Sequence, residues 1–249
     1  MIPRSGETVA QYDRPRADRA RQVAEILRRQ VTAGAFASGV LPDERRLIAD
    51  FGASRNAVRA ALRILSDEGL VERRPGVGTV VLARSYDHGI GRLAGLAETL
   101  HEHGEIGNEV RDARMIRAPA AVAERLGLAD GARVAYIERL RRLGELPLSL
   151  DLTYLAADVG EPLLTADLAH RDVFALIEEQ TGVRLEAAEI SVQALNADAH
   201  TASVLGADDG AAVFAVERLS RLAGGRPVDL EFLRIRGDRL TLRGELPRT

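Results

Sequence analysis

Apolar positions in the first third of the chain recur at helical spacing in three successive segments. The first segment covers residues 16–33, the second begins after Asp43, and the third begins after Ser54. Residues three and four apart share one face of a helix, so each segment predicts an amphipathic helix with one buried side. The predicted inward-facing residues are Ala20, Val23, Ala24, Leu27 and Val31, then Leu47, Ile48 and Phe51, then Val58, Ala61, Leu62 and Leu65.

Short polar residues and glycines mark the ends of the second and third predicted helices. Asp43 and Ser54 are suited to N-caps, because their oxygens accept hydrogen bonds from the free N–H groups of a first helical turn. Gly52 supplies the turn between the two helices. Two predicted strands, 71–74 and 79–82, then flank a tip of sequence Pro-Gly-Val-Gly. The pattern therefore indicates a helix-turn-helix followed by a glycine-tipped hairpin.

The outward face of the third predicted helix carries Arg55, Asn56, Arg59 and Arg63. Arginines four residues apart repel one another mildly on a helix surface, so an uncompensated stripe of them needs a partner. A guanidinium pairs with guanine or binds phosphate, and an asparagine pairs with adenine, which suits the major groove of DNA. The residues alone therefore favour a DNA-binding surface over a solvated helix.

The rest of the chain contains an internal repeat. The segment 123–152 parallels 202–232 with a constant offset of 79 residues, up to a one-residue insertion at Gly224-Gly225. Each copy begins as a short helix, passes an Asp-Gly turn and continues as two alternating strands joined by a hairpin turn. Two such hairpins placed back to back predict an antiparallel sheet with pseudo-twofold symmetry. Between the copies, a helix is predicted over 173–181 and a strand over 185–195.

Charge is divided unevenly along the chain. The net charge is −3, but residues 1–85 hold 15 arginines against 10 acidic residues, and the remainder holds 19 basic against 27 acidic residues. A basic first part concentrates attraction for the phosphate backbone, and an acidic second part discourages nonspecific contact with it. The asymmetry supports a DNA-binding domain at the start of the chain.

The chain has no cysteine and no lysine. Their absence excludes a thiol nucleophile, a disulfide, a zinc-cysteine site, a P-loop lysine and a pyridoxal Schiff base. His101 and His103 are two apart on a predicted helix (93–103) and point in different directions, so they are not expected to bind a metal. We expect no cofactor, no metal and no catalytic residue. Because no apolar run approaches membrane-spanning length and no signal peptide is recognisable, we also expect no membrane partner and a cytoplasmic location.

The run from residue 41 to residue 81 resembles the winged helix-turn-helix of the GntR family of bacterial transcription regulators. It matches the ordered motifs of that family with LPDER, FGASRNAVRAAL and EGLVERRPGVGTVV. Asn56 and Ala57 stand where threonine is frequent in the family, which alters the contact chemistry expected there. The resemblance implies that DNA is contacted by Arg45, Ser54, Arg55, Asn56, Arg59, Gly76 and Gly78.

The second part of the chain resembles the UTRA ligand-sensing domain of the HutC subfamily of these regulators, which has the chorismate-lyase fold. The shared segments are LGLADGARVAYIERLR, SLDLTYL, VFALIEEQTGVRL and PVDLEFLRIRGDRLTL. The resemblance implies a small-molecule effector, such as an anionic metabolite or a phosphosugar. The effector-binding residues that it implies are Arg139, Arg141, Asp151, Tyr154, Asp229, Glu231 and Arg236.

Two interpretations of Arg139 and Arg141 stay open at this stage. Strand residues two apart share one face, so both guanidinium groups could converge on an anion. They could instead form cross-strand salt bridges with acidic neighbours such as Glu138 or Asp151. Glu109 lies where several relatives offer phosphate donors and would repel an anion. A different acid, or an uncharged or cationic effector, is therefore also compatible with the sequence.

The sequence thus predicts an α+β protein with two domains. A winged helix-turn-helix DNA-binding domain is expected at 1–82, a linker at 83–92, and an antiparallel-sheet UTRA domain of chorismate-lyase-like fold, for effector binding and dimerisation, at 93–249. The expected function is a transcription factor, a repressor rather than an activator, that binds a pseudo-palindromic double-stranded DNA operator as a homodimer. Two alternatives are an enzyme that uses the second domain for catalysis and a DNA-binding protein without an effector.

Overall fold

The computed structural model describes residues 14–82, 86–100 and 103–245. The chain divides into two compact units, Met1–Arg84 and Ser85–Thr249. The domain limits at 82 and 93 stay predictions. His101, one of the two histidines considered above, lies outside the described residues.

The first unit contains three helices and a two-stranded hairpin among its described residues. The apolar faces of the helices share one core, in which Leu27, Leu47, Val58 and Leu65 are almost fully buried, as their spacing predicts. The hairpin strands pair antiparallel, with Arg74 opposite Gly78. The elements are α1 (Arg14–Thr32), α2 (Glu44–Phe51), α3 (Arg55–Asp67), β1 (Val71–Arg74) and β2 (Gly78–Val81).

The predicted caps fix where α2 and α3 begin. The Asp43 carboxylate accepts a hydrogen bond from the backbone N–H of Arg46 at 2.8 Å, and the Ser54 hydroxyl accepts one from Ala57 at 3.2 Å. Gly52 ends α2 with a φ of 52°, a left-handed conformation that glycine adopts without steric cost. Both N-caps and the turn are therefore confirmed.

The second unit is built on a six-stranded antiparallel sheet with the order β4-β5-β6-β9-β8-β7. The succession β4-α5-β5-β6 recurs as β7-α8-β8-β9, and the two hairpins meet at β6 and β9. This arrangement confirms the predicted repeat. The elements are β3 (Tyr86–Gly89), α4 (Leu96–Leu100), β4 (Ile106–Arg117), α5 (Ala120–Leu126), β5 (Arg133–Leu143), β6 (Leu146–Ala156), α6 (Ala157–Leu163), α7 (Val173–Thr181), β7 (Leu185–Asn196), α8 (Ala199–Leu205), β8 (Ala212–Leu222), β9 (Pro227–Arg236) and β10 (Leu240–Arg243).

Helices cover both faces of the sheet. On one face, called here the α7 face, side chains of α6 and α7 pack on Ile137 and Leu155. Farther along the strands, α4 and β10 pack against the same face near Leu148 and Leu233. The opposite face, called here the α5 face, is covered by α5 and α8. The centre of the α7 face therefore lies between two apolar clusters.

Strand β3 pairs in parallel with β10, Tyr86 opposite Leu240 and Gly89 opposite Arg243. The predicted linker, 83–92, therefore includes a hydrogen-bonded strand of the second unit, while residues 83–85 lie outside the described residues. Two further elements, β4 and α6, are not predicted by the sequence pattern. Strand β4 is an edge strand with mixed charges and no clear alternation of burial, so it lacks the period-two pattern of a half-buried strand.

Candidate functional site

Four polar side chains project from α3 into solvent: Arg55, Asn56, Arg59 and Arg63. The opposite side of the helix is buried in the core of the first unit. The first two helical turns therefore present two guanidinium groups and an amide on a rigid support. That combination matches the hydrogen-bonding groups that proteins use in the major groove.

The arginines on this surface differ in whether they are neutralised. Arg46 pairs with Asp50 at 3.6 Å, and Arg73 pairs with Glu44 at 3.4 Å. Among the residues that the structure describes, no carboxylate pairs with Arg45 or with the three arginines of α3. These four exposed cations are free to bind phosphate or base edges.

An open groove beside α3 extends the surface. It has a volume of about 840 Å³ and is lined by Asn56, Arg59 and Arg63 together with Arg21 of α1 and Arg73 of β1. Arg21 and Arg73 are not predicted as DNA-binding residues from the sequence. Arg21 lies on the outward side of α1 and Arg73 lies next to the hairpin tip, and these two positions are the sequence features that could have indicated them.

The two hairpin glycines and Ser54 have different local roles. Gly76 has a φ of 76°, and a Cβ built there would meet no atom within 4 Å, so the tip is open. Gly78 has a φ of 116°, and a Cβ would lie 3.3 Å from Val40, so this glycine also permits close packing. Ser54 caps α3 through its oxygen, which leaves its hydroxyl hydrogen available for a phosphate.

The second candidate site is a set of polar side chains at the centre of the α7 face. Each lies on a central strand, and each is at least nine-tenths buried. The ladder register places them on one face, because residues directly opposite one another project to the same side. The buried polar cluster consists of Arg139, Arg141, Ser149, Asp151, Thr153, Arg218, Ser220, Asp229 and Glu231.

Two arginines of the cluster form salt bridges. Arg141 donates a hydrogen bond from Nε to Oδ2 of Asp151 at 3.0 Å, and its Nη2 lies 2.9 Å from the same oxygen. Arg218 donates to Glu231 from Nε at 2.7 Å and also stacks on Phe174, 4.4 Å from the ring centre. Burial disfavours both charged guanidinium groups, but attraction to the paired carboxylates outweighs it, and the pKa of each arginine is raised. The cross-strand interpretation is therefore correct for Arg141 and Asp151.

Asp172, the N-cap of α7, borders the cluster. One of its carboxylate oxygens accepts a hydrogen bond from the backbone N–H of Phe174 at 2.9 Å, and the other lies 3.7 Å from Arg141. A Cβ built on Gly95 would lie 1.9 Å from Asp172 Oδ2. The absence of a side chain at position 95 is therefore required for the carboxylate to sit here.

Several buried atoms of this region have no hydrogen-bond partner among the described residues. A buried polar group without a partner costs free energy, and such groups usually bind water or a ligand. Here they are concentrated at one place in the fold, which is the strongest indication of a ligand site. The atoms are Nε and Nη2 of Arg139, Oδ1 of Asp151, Oδ2 of Asp172, both carboxylate oxygens of Asp229, and the hydroxyls of Ser149 and Ser220.

His88 brings strand β3 next to the cluster. It is buried, and its Nδ1 lies 2.8 Å from the hydroxyl of Thr99. Burial, and then the positive charges of Arg218 and Arg141, lower the pKa of His88 to about 4. The imidazole is therefore neutral at pH 7.

Tyr154 and Arg236 do not join the cluster. They lie three and five residues from cluster members on the same strands, and an odd separation places a side chain on the other face. On the α5 face, Tyr154 packs between Tyr136 and Phe232, with ring centres 5.2 and 6.0 Å away. Arg236 donates to the carbonyls of Leu205 and Gly206 at the end of α8, at 3.0 and 2.9 Å. Their implied place in an effector site with the other five residues is corrected accordingly.

Glu109 also faces away from the cluster. Its carboxylate pairs with Arg111 and Arg142, each at 3.3 Å, whereas the preceding Asn108 shares the α7 face with Arg141. Glu109 therefore does not repel a ligand at the cluster, contrary to the expectation from its position in the sequence.

Several side chains of this region are not predicted from the sequence, and Arg218 is the most important of them. The repeat itself could have identified it, since Arg218 is the counterpart of Arg139 at the offset of 79 residues. In the same way Glu231 is the counterpart of Asp151 after the one-residue insertion. Asp172 and His88 carry no such signal, because α7 and β3 stand outside the repeat.

The described ranges, 14–82, 86–100 and 103–245, lack two other kinds of feature. They contain no group of three or more histidine, cysteine, aspartate or glutamate side chains placed to hold a metal ion. No helix in those same ranges is long and apolar enough to cross a bilayer.

Comparisons with known proteins identify both units. The family of bacterial regulatory proteins called gntR matches residues 19–81, and the UTRA domain matches residues 101–241. The transcriptional regulator Rv0792c of Mycobacterium tuberculosis is 33% identical over 92% of this chain and 86% of its own length. The transcriptional repressor NagR of Bacillus subtilis is 26% identical over 88% and 91%. The crystal structure of PhnF from Mycobacterium smegmatis has a TM-score of 0.67 at 26% identity, over 91% of this chain and all of its own.

Proposed function

Because the chain belongs to the GntR family of bacterial regulatory proteins and carries a UTRA domain, we propose that it is a homodimeric, effector-controlled repressor. Members of this family regulate transcription and are not enzymes, which sets aside the catalytic alternative. NagR is named a repressor, and so is the mannosyl-D-glycerate system regulator MngR of Escherichia coli. These relatives support repression over activation.

The observation that carries the DNA-binding half of the proposal is the unpaired arginine stripe of α3. Arg55 and Arg59 read base edges in the major groove, with Asn56 between them. Arg45 and Ser54 bind phosphate, and the hairpin tip at Gly76 and Gly78 approaches the duplex through its backbone. A dimer places two such surfaces on the half-sites of a pseudo-palindromic operator.

The buried polar cluster is the effector site in this proposal. Arg139, Arg141, Asp151, Asp229 and Glu231 share one face of the sheet, and several of their polar atoms have no partner among the described residues. A ligand that bonded to these atoms would stabilise the second unit. A DNA-binding protein without an effector would have no reason to keep so many unpaired polar atoms buried.

Strand β3 is the element that couples the two sites. It follows directly on residues 83–85, which join it to the first unit, and it carries His88 at the edge of the cluster. An effector that moves His88 shifts β3, and through it the separation of the two DNA-binding units in a dimer. Coupling of this kind changes operator affinity without any contact between effector and DNA.

Selection of random duplex oligonucleotides by the purified protein tests the proposal. We expect enrichment of a short inverted repeat, because a two-fold dimer binds two equivalent half-sites. Affinity for the enriched sequence should fall with salt as the phosphate contacts are screened. Enrichment of a single unrepeated half-site would exclude the dimer, and binding without any sequence preference would exclude the specific regulator.

Replacement of Arg45 by alanine separates phosphate binding from base recognition. We expect the variant to bind all duplexes more weakly and to lower the slope of log affinity against log salt by about one. Arg114→Ala removes an exposed arginine of the second unit that pairs with Asp112, and it should leave the slope unchanged. A loss restricted to one operator sequence would show that Arg45 reads a base instead.

A further inference from the structure

The buried polar cluster holds three guanidinium groups and three carboxyl groups, but only two of each are paired. Two of its three guanidinium groups are already neutralised, Arg141 by Asp151 and Arg218 by Glu231. One cation, Arg139, and one carboxyl group, Asp229, are left over. Both are fully buried, where an uncompensated charge is costly.

Arg139 has almost no hydrogen bonds of its own. Its Nη1 lies 3.4 and 3.5 Å from the carbonyl oxygens of Leu168 and Arg171, which are long hydrogen bonds. Neither Nε nor Nη2 has a partner among the described residues. Burial, and next the repulsion of Arg141, lower the pKa of Arg139. A planar guanidinium whose Nε–Nη2 edge has no partner suits a carboxylate or another flat acidic group.

Asp229 lacks the opposite kind of partner. Neither of its oxygens accepts a hydrogen bond with good geometry from any residue that the structure describes. Ser220 stands opposite it on β8, close enough to favour the ionised carboxyl. Burial, and next the repulsion of Glu231, nonetheless raise the pKa of Asp229 well above its ordinary value. A donor-bearing cation would reverse this shift.

The two unsatisfied groups are placed to bind the two ends of one small molecule. Arg139 is opposite Asp151 on β6, and Asp229 is opposite Leu155, four residues farther along β6 and one strand beyond it. Two strand spacings and four residues separate their Cα atoms by about 16 Å. The charge of Arg139 still acts on Asp229 across that gap.

With Asp172 counted, four carboxyl groups face three guanidinium groups, and this excess of one determines the sign of the missing group. Asp172, at the edge of the cluster, adds a further buried oxygen without a hydrogen-bond partner in the described part of the chain. A purely anionic ligand would satisfy Arg139 but would place another negative charge near Asp172, Asp229 and Glu231. A ligand that also carries a cation relieves that repulsion.

Resting on the proposed function, the geometry points to a zwitterionic effector: an acidic group bound by Arg139 and an ammonium or other donor-bearing cation bound by Asp229. This assigns the two ends of the ligand and disfavours a simple sugar phosphate. Arg141 and Arg218, which are already paired, hold the surrounding carboxylates in place.

The test uses the full chain, three zwitterions and three comparison compounds, and binding is measured by calorimetry and thermal melting. The zwitterions are 4-aminobutanoate, 5-aminopentanoate and 6-aminohexanoate, because the distance between the charged ends is the variable to be found. Pentanoate lacks the cation, pentylamine lacks the acid, and glucose 6-phosphate represents a phosphosugar. We expect at least one amino acid to bind at least tenfold more tightly than pentanoate, pentylamine and glucose 6-phosphate.

Asp229→Asn removes the charge but keeps the size of the side chain. We expect it to reduce affinity for the preferred amino acid at least tenfold. Asp238→Asn, the same change on a half-exposed aspartate that pairs with Arg236, should have no effect. Comparison of the compounds on the unmodified protein needs no variant, so it decides the matter even if Asp229→Asn does not fold.

Each other outcome overturns the zwitterion. Equal binding of pentanoate removes the role of the cation, and tighter binding of glucose 6-phosphate shows a phosphate site. No binding by any of the amino acids also contradicts the proposal. Operator binding by the same preparation is measured alongside, so that the two proposals are tested separately. Operator binding without binding of any amino acid would contradict only the zwitterionic effector. Absence of operator binding would contradict the proposed function itself.

Discussion

Replacement of Asp151 by alanine is expected to lower the free energy of unfolding by about 3–5 kcal/mol, the usual cost of removing one partner of a buried ion pair. Asp151 is fully buried, and it forms a hydrogen-bonded ion pair with Arg141, which is itself 3% exposed. Without Asp151 the nearest carboxylate is that of Asp172, 3.7 Å from the guanidinium and beyond hydrogen-bond distance. Urea denaturation followed by circular dichroism gives the measurement.

Asp158→Ala is the matched control for this prediction. Asp158 also pairs with one arginine, Arg226, through hydrogen bonds of 2.8 and 2.6 Å, but both side chains are at least half exposed. Exposed pairs are screened by water, so we expect a loss of about 0–1 kcal/mol. Equal losses for the two variants would show that burial does not set the strength of the Arg141–Asp151 pair.

A double variant separates pairing from packing at the same position. Asp151→Leu with Arg141→Met removes both charges and keeps apolar volume, so much of the stability lost in Asp151→Ala should return. If the double variant is as unstable as the single one, the unpaired guanidinium is not the source of the loss.

Alanine at Arg55 and Arg59 is expected to cost about 1–3 kcal/mol each in binding of the selected operator, if both residues read bases. Neither side chain is held by a carboxylate among the described residues, and both project from a helix whose other side is buried. Their loss therefore removes contacts to DNA and leaves the fold intact. Fluorescence anisotropy with operator and with scrambled duplex measures the effect.

The comparison between duplexes defines the role of each arginine. Loss of a base contact weakens operator binding more than binding to scrambled DNA, whereas loss of a phosphate contact weakens both equally. Arg114→Ala again controls for the loss of one positive charge. Unchanged operator affinity in both α3 variants would contradict the assignment of α3 as the reading helix.

Local sequence chemistry predicts the first unit and half of the second with accuracy. The caps at Asp43 and Ser54 and the glycine turn at Gly52 act over three or four residues, so neighbouring letters are sufficient to identify them. The repeat predicts both hairpins for a related reason, since alternation and Asp-Gly turns are short-range features. Strand β4 escapes prediction because, at the edge of the sheet, it has no alternating buried face.

The composition of the buried polar cluster follows partly from parity. Arg139 and Arg141 share a face by alternation alone, and so do Asp151 and Ser149, the residues that stand opposite them on β6. Tyr154 and Arg236 were implied only by the family resemblance, and counting residues along the strand would have excluded them. Residue spacing therefore predicts the face of the sheet on which each side chain lies.

The pairing within the cluster could not be predicted. Asp151 stands directly opposite Arg139 in the ladder, yet its carboxylate binds the guanidinium of Arg141. That choice depends on side-chain conformation and on Asp172, which α7 brings in from outside the repeat. Long-range placement of this kind leaves no pattern in neighbouring residues.

The parallel pairing of β3 with β10 determines where the second unit can be cut. A fragment that starts at residue 93, the limit predicted from the sequence, would lack Tyr86–Gly89 and leave the backbone of Leu240–Arg243 without its partner strand. It would also remove His88 and with it the contact to Thr99. An effector-binding fragment for crystallisation or ligand screening should therefore begin no later than residue 85 and extend beyond residue 243.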